Sequence, residues 1–139
     1  MAKKFDIKKL LIARIRQISR WDPIKKEVLK DASVGASRIK CATCKKIYPV
    51  RFIDVDHIEP VVLLDGSNKP EADYETKTFK NWDTYLSRMF CPKEGRQALC
   101  NKCHDKKTAW ERTQRASHRK NRKAEGTTKA RRKRKRAKR

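Results

Sequence analysis

Four of the five cysteines, Cys41, Cys44, Cys100 and Cys103, form two C-x-x-C pairs separated by 55 residues. Thiolates paired at that spacing suit the closed tetrahedral shell of a structural zinc ion, with Zn–S bonds of about 2.3 Å. Between the pairs lies Asp56-His57-Ile58-Glu59-Pro60, and His104 directly follows the second pair. A carboxylate and a neutral imidazole can hold a divalent cation while leaving positions open for water and phosphate oxygens. His57, next to the candidate ligand Asp56, has the chemistry of a general base, since an imidazole titrates near pH 6.5. Alone, none of these residues would stand out. Zinc joining the two cysteine pairs would bring the segment bearing Asp56 and His57 close to the segment bearing His104.

The remaining polar residues carry weaker signals. Lys102, Lys106, Lys107 and Arg112 lie on or beyond the segment of His104, where they read either as contacts to nucleic-acid phosphates or as a solvated face. Asp54, Glu59 and Asp105 read as solvated surface acids ahead of groups assisting the metal. Cys91, alone before a proline, reads as a small buried apolar residue. Trp82 and Tyr85 read as core.

These residues need elements to position them. Ile7, Leu10, Leu11, Ile15 and Ile18 recur at helical spacing, predicting an amphipathic helix over 5–20 whose apolar stripe faces the core. Asp22 and Pro23 then suit the N-cap and first position of a short helix through about Lys30. The β-branched and aromatic residues from Ile47 to Val55, after Arg38-Ile39-Lys40, predict strands with the first cysteine pair at their turn. Asp65 to Pro70 reads as an exposed loop, and Phe79, Trp82, Tyr85, Leu86 and Met89 predict a helix over about 80–90. The last helix is expected to begin near Arg96 or Gln97 and to carry Ala98, Leu99, Cys100, Cys103 and His104 towards Trp110. Residues 118–139 hold thirteen Lys or Arg and one acid, a composition that cannot build a core and is expected to stay disordered until bound. If a strand alternates strictly, Asp56 and His57 face opposite ways, so one metal site using both requires a bend at the strand end.

Whole-chain composition agrees with this organisation. The chain has 139 residues, 40% of them charged, which leaves one small α+β domain in need of a metal staple. The expected division is an N-terminal helical segment over 1–34, a zinc-containing domain over 35–116 and a basic tail over 117–139. A net charge of +23 favours a polyanionic partner. No apolar run approaches the roughly 20 residues that span a bilayer, and the basic tail lacks large apolar residues to insert, so no membrane partner is expected. The paired cysteines and the absence of an apolar leader at Met1-Ala2-Lys3-Lys4 point to a reducing compartment.

At Asp56-His57-Ile58-Glu59-Pro60 and at Leu99-Cys100-Asn101-Lys102-Cys103-His104-Asp105-Lys106-Lys107-Thr108 the chain resembles the HNH endonucleases, whose D-H-I-x-P strand end and L-C-x-x-C-H-x-x-K-T helix form a ββα-metal site. More closely it is similar to the small HNH proteins of tailed bacteriophages, over residues 20–110 and including Arg20-Trp21-Asp22-Pro23 and Asn81-Trp82-Asp83-Thr84-Tyr85. The resemblance implies hydrolysis of DNA phosphodiester bonds to 5′-phosphate products. His57 would be the general base, Asp56 and His104 would hold a catalytic Mg²⁺, Mn²⁺ or other divalent cation, and the four cysteines would hold structural Zn²⁺. It further implies DNA as substrate, a bacterial cytoplasmic setting and a link to phage genome packaging with terminase as partner. Lys129 to Arg136 would also pass as a nuclear-import signal in a eukaryote, but the resemblance favours the bacterial cytoplasm. One position departs from the family pattern: where N-L-Q-x-L-C is usual, this chain has Gly95-Arg96-Gln97-Ala98-Leu99-Cys100, leaving the family Asn unassigned and Asn81 as a weak candidate. The rival reading is a zinc-containing protein that binds DNA or RNA without catalysis, with Asp56 and His57 only capping structure.

Overall fold

A computed structural model describes residues 6–73 and 75–137. Helix α1 spans Ile7–Ser19 and is capped by Asp6, whose Oδ1 accepts the Lys9 N–H at 3.0 Å. Helix α2 spans Ile24–Asp31, and Asp22 Oδ1 accepts the Ile24 N–H at 3.1 Å, as the Asp-Pro signal leads one to expect. Strands β1 (Arg38–Lys40) and β2 (Ile47–Pro49) form an antiparallel hairpin around the first cysteine pair. Pro49 has no N–H for the ladder, and Val50–Phe52 turn as a 3-10 helix before β3 (Ile53–His57). Strands β4 (Glu71–Asp73) and β5 (Thr78–Lys80) make a second small hairpin, followed by α3 (Trp82–Met89).

Strand β6 (Arg96–Cys100) pairs antiparallel with β3 and leads directly into α4 (Asn101–Ala137). The expectation of a helix from Arg96 or Gln97 is corrected here. Five residues extend and pair in the register Ile53↔Cys100 to His57↔Arg96, burying Ala98, Leu99 and Cys100, and the helix starts only at Asn101. Together β3, β6 and α4 form two antiparallel strands followed by a helix lying against them.

The core is small: Val28, Ile39, Cys41, Ile53, Ala98, Leu99 and Cys100, flanked by half-buried residues that include Ile24, Tyr48, Val55 and Cys103. Val28 brings α2 into this core, so the segment before residue 35 packs together with the strands beyond it. Helix α1 does not. None of its residues is buried, Ile18 is 61% exposed and the following Trp21 is 85% exposed. Of its apolar stripe, expected to face the core, Ile7, Leu11 and Ile15 are half-buried while Leu10 and Ile18 are exposed, and the helix neighbours the three-residue strand β4.

Two further expectations change. In the loop read as exposed, Asn68 and Pro70 are buried: Asn68 Oδ1 accepts the Leu63 N–H at 2.7 Å and its Nδ2 donates to the Val61 carbonyl at 3.0 Å, pinning the chain just after β3. The basic segment, expected to be disordered, continues α4 as helix to Ala137, with residues 138 and 139 outside the described residues. Ala, Lys and Arg are strong helix formers, and a helix satisfies its own backbone without a core. From Ser117 to Thr128 every residue is exposed. No helix among the described residues is long and apolar enough to cross a membrane.

Candidate metal centres at the junction of strands and helix

The β1–β2 turn carries Cys41 and Cys44, the end of β6 carries Cys100, and the first turn of α4 carries Cys103. Folding brings all four Sγ atoms within 4.8 Å of one another. Four thiolates about 2.3 Å from one tetrahedral ion stand roughly 3.8 Å apart. The Cys44–Cys100 separation is 3.9 Å. The cluster therefore has the donors and spacing to hold a metal ion such as zinc.

Its surroundings favour the thiolate at Cys41 and Cys100 but not at Cys103. Burial raises the Cys41 pKa, but the backbone N–H groups of Cys100, Cys44 and Thr43 outweigh it and bring this thiol down to about 6. Hydrogen bonding to Cys100 and burial push Cys103 up to about 12, so without metal the cluster holds its protons unevenly. An ion bound there would take all four sulfurs as thiolates. Tyr48, whose hydroxyl lies 3.9 Å from Cys44 Sγ, is pushed up to about 12 by hydrogen bonds to Cys44 and Cys100 and remains a donor beside the sulfurs.

One turn along α4 and across to β3 lies the second cluster. Asp54 and Asp56, two apart on β3, share one strand face. His104 and Lys107, three apart on α4, share one helix face. The two faces meet as a ladder: Asp54 Oδ2 lies 3.3 Å from His104 Nδ1, and Asp56 Oδ2 accepts from Lys107 Nζ. Lys107 also donates to the His57 carbonyl and pairs with Glu111 Oε1 at 3.2 Å. Asp56 and His104 are thus brought to one face, but Asp56 is engaged by Lys107, while Asp54, read from sequence as a surface acid, pairs with His104. The alternation in Asp54-Val55-Asp56 was the signal that could have found it. Among the described residues, the four cysteines are the one set of three or more His, Cys, Asp or Glu ligand atoms gathered closely enough to share an ion.

The bend expected to bring Asp56 and His57 to one site is not found: β3 pairs regularly through His57, which leaves the strand towards α3 while Asp56 turns to α4. His57 Nε2 lies 2.9 Å from the Met89 carbonyl. A carbonyl oxygen only accepts, so Nε2 carries the proton and Nδ1 keeps its lone pair. Burial, reinforced by the neighbouring Arg96 charge, lowers the His57 pKa, and the hydrogen bond to Met89 only partly opposes this; the ring is neutral at pH 7. The same Met89 carbonyl accepts from Arg96 Nη2 at 3.0 Å, and the buried Arg96 guanidinium also pairs with Asp22. Arg96 and Met89, which sequence reasoning passed over, therefore set the ring of His57.

Other candidates fall outside this junction. Lys102, Lys106 and Arg112 are exposed on α4, whereas Lys107 is half-buried in its ion pairs. Glu59 pairs with Arg88 at 3.0 Å. Asn81 donates to the Lys69 carbonyl at 3.1 Å, tying down the stretch before β4. At Gly95, where the family pattern has Asn, an added Cβ would stand 2.8 Å from Cys91 Sγ, so no side chain fits without displacing that cysteine.

No family model, curated protein or solved structure matches this chain.

Proposed function

We propose that this chain is a metal-dependent endonuclease of the HNH type, in which four cysteines hold a structural zinc and His57 acts as general base on DNA phosphodiester bonds. The observation that carries the reading is a neutral imidazole with Nε2 fixed by the Met89 carbonyl and Nδ1 left as acceptor, next in sequence to a strand face on which the Asp54 carboxylate lies 3.3 Å from His104. His57 Nδ1 would take the proton of the attacking water. Asp56 and His104, with Asp54 beside them, have the oxygen and nitrogen donors to hold Mg²⁺ or Mn²⁺. The separation of 3.3 Å between Asp54 Oδ2 and His104 Nδ1 is close to the roughly 3 Å between neighbouring ligands of an octahedral ion. Such an ion supplies Lewis-acid stabilisation of phosphoryl charge and of the departing 3′ oxygen. Lys102, Lys106 and Arg112 face solvent on the same helix as His104 and would contact DNA phosphates.

The resemblance to phage proteins extends the proposal to DNA processing during genome packaging, with terminase as partner. A non-catalytic zinc protein that binds nucleic acid is the second reading, favoured by the capture of the Asp56 carboxylate by Lys107. Plasmid nicking with and without Mg²⁺ or Mn²⁺, comparing the wild type with His57→Ala, separates the two.

A further inference from the structure

Lys107 lies where a cation belongs. Its ammonium is held by Asp56 Oδ2, by Glu111 Oε1 at 3.2 Å and by the His57 carbonyl, three oxygens from one strand end and one helix. The Lys107 and Asp56 side chains are each 20% exposed and Glu111 is 12% exposed, so the charges meet where water screens them weakly. Glu111 is in turn fixed by Arg115, which donates to the Val62 carbonyl at 3.1 Å. This is a built position, not a chance surface pair.

Resting on the proposed nuclease reading, we propose that Lys107 is a built-in competitor for the divalent cation: it neutralises Asp56 in the free protein and gives it up when a DNA phosphate draws the ammonium away. Asp56 Oδ2 cannot receive an ammonium and a divalent ion at the same position. Lys107 shares its helix with the exposed Lys102 and Lys106, and its flexible four-carbon stem lets the ammonium swing towards a phosphate without moving the backbone. DNA binding then frees Asp56 for metal. By linkage, metal binding frees Lys107 for DNA by the same factor. Lys107 acts here as a positioning residue, through Asp56 and not on the reacting atoms. The device would keep the cation site closed until substrate is present.

The test uses full-length, zinc-loaded protein carrying His57→Ala, so that bound DNA is not cut, and Mn²⁺ as the probe. Mn²⁺ affinity is measured by electron paramagnetic resonance with and without duplex DNA, after subtracting Mn²⁺ bound by DNA alone. DNA should raise the affinity of the protein site by about tenfold or more, within the usual range of coupling between sites. Adding Lys107→Gln should raise the DNA-free affinity towards the DNA-bound value and remove most of the increment, while Lys107→Arg should preserve it. Unchanged zinc content shows that each variant is folded. A measurement needing no variant accompanies this one: in the wild type, amine-reactive labelling of Lys107 should rise on saturation with Mg²⁺. Mn²⁺ that binds equally well with lysine or glutamine at 107, or labelling indifferent to Mg²⁺, overturns the competition while leaving the nuclease reading standing. Failure of the protein to bind Mn²⁺ under any of these conditions overturns both.

Discussion

The residue most exposed to a simple test is His57. Its conversion to Ala should reduce cleavage by about 10²–10⁴-fold, the usual contribution of a general base, while leaving DNA affinity nearly unchanged. Because burial lowers its pKa, the base form persists below the ordinary imidazole value of about 6.5. Cleavage should therefore hold as pH falls through that value and decline only below it, and a rate profile with its acid limb above pH 7 would contradict the account. Stability follows the same group. A folded pKa below the unfolded one means that the unfolded chain binds more protons as acid is added, so this contribution is complete above about pH 6.5 and is lost as pH falls further. Arg96 is the second residue to change. Arg96→Met leaves Asp22 buried without its partner, which should cost about 3–5 kcal/mol in denaturant unfolding and release the Met89 carbonyl that orients His57. Neither Arg96 nor Met89 was legible in the sequence as part of the site. A backbone carbonyl carries no residue-type signal, and the Asp22–Arg96 pair joins positions far apart in the chain. The cysteine cluster was legible because its chemistry is carried by residue type and short spacing, and the same kind of signal makes Asp56, His57 and His104 candidates.

At the scale of elements, helices α1, α2 and α3 follow from apolar periodicity and from the Asp-Pro cap, which are local signals. Strand β6 reads as helix in the sequence because Gln97-Ala98-Leu99-Cys100 runs without a break into α4, and only its pairing with β3, some forty residues earlier, makes it a strand. The end of α4 differs from expectation for the opposite reason: its composition rules out a core, but a helix needs none. Beyond Ser117 this helix extends the molecule by about 30 Å, at 1.5 Å per residue. Like charges three and four residues apart strain it, and phosphates would relieve that strain. Truncation after Ser117 removes thirteen basic residues. With each neutralised phosphate contributing about 0.9 to the slope of log affinity against log salt, truncation should flatten that slope by several units. Turnover at saturating DNA should survive, since the candidate site lies earlier in the chain. An unchanged slope would show that the segment does not touch the substrate.

For the molecule as a whole, nine buried apolar residues among those described, two of them cysteines, give little apolar burial to offset chain entropy. Cys41 and Cys44 belong to the β1–β2 turn, while Cys100 and Cys103 join β6 to α4, so an ion shared by all four would close the molecule around the β3 site. Structural zinc contributes on the order of 10 kcal/mol to such small domains. Elemental analysis should find one zinc per chain after purification, and Cys41→Ser or Cys103→Ser should unfold the domain; a folded protein without zinc would remove the staple from the account. The central claim is catalytic, and the most direct measurement is nicking of supercoiled plasmid by the full chain in Mg²⁺ or Mn²⁺. The wild type should convert it to open-circle or linear DNA, and conversion should be lost in chelator and in a His57→Ala protein that still binds the plasmid. Binding without nicking in every metal, or nicking at equal rates by the wild type and His57→Ala, would contradict the claim.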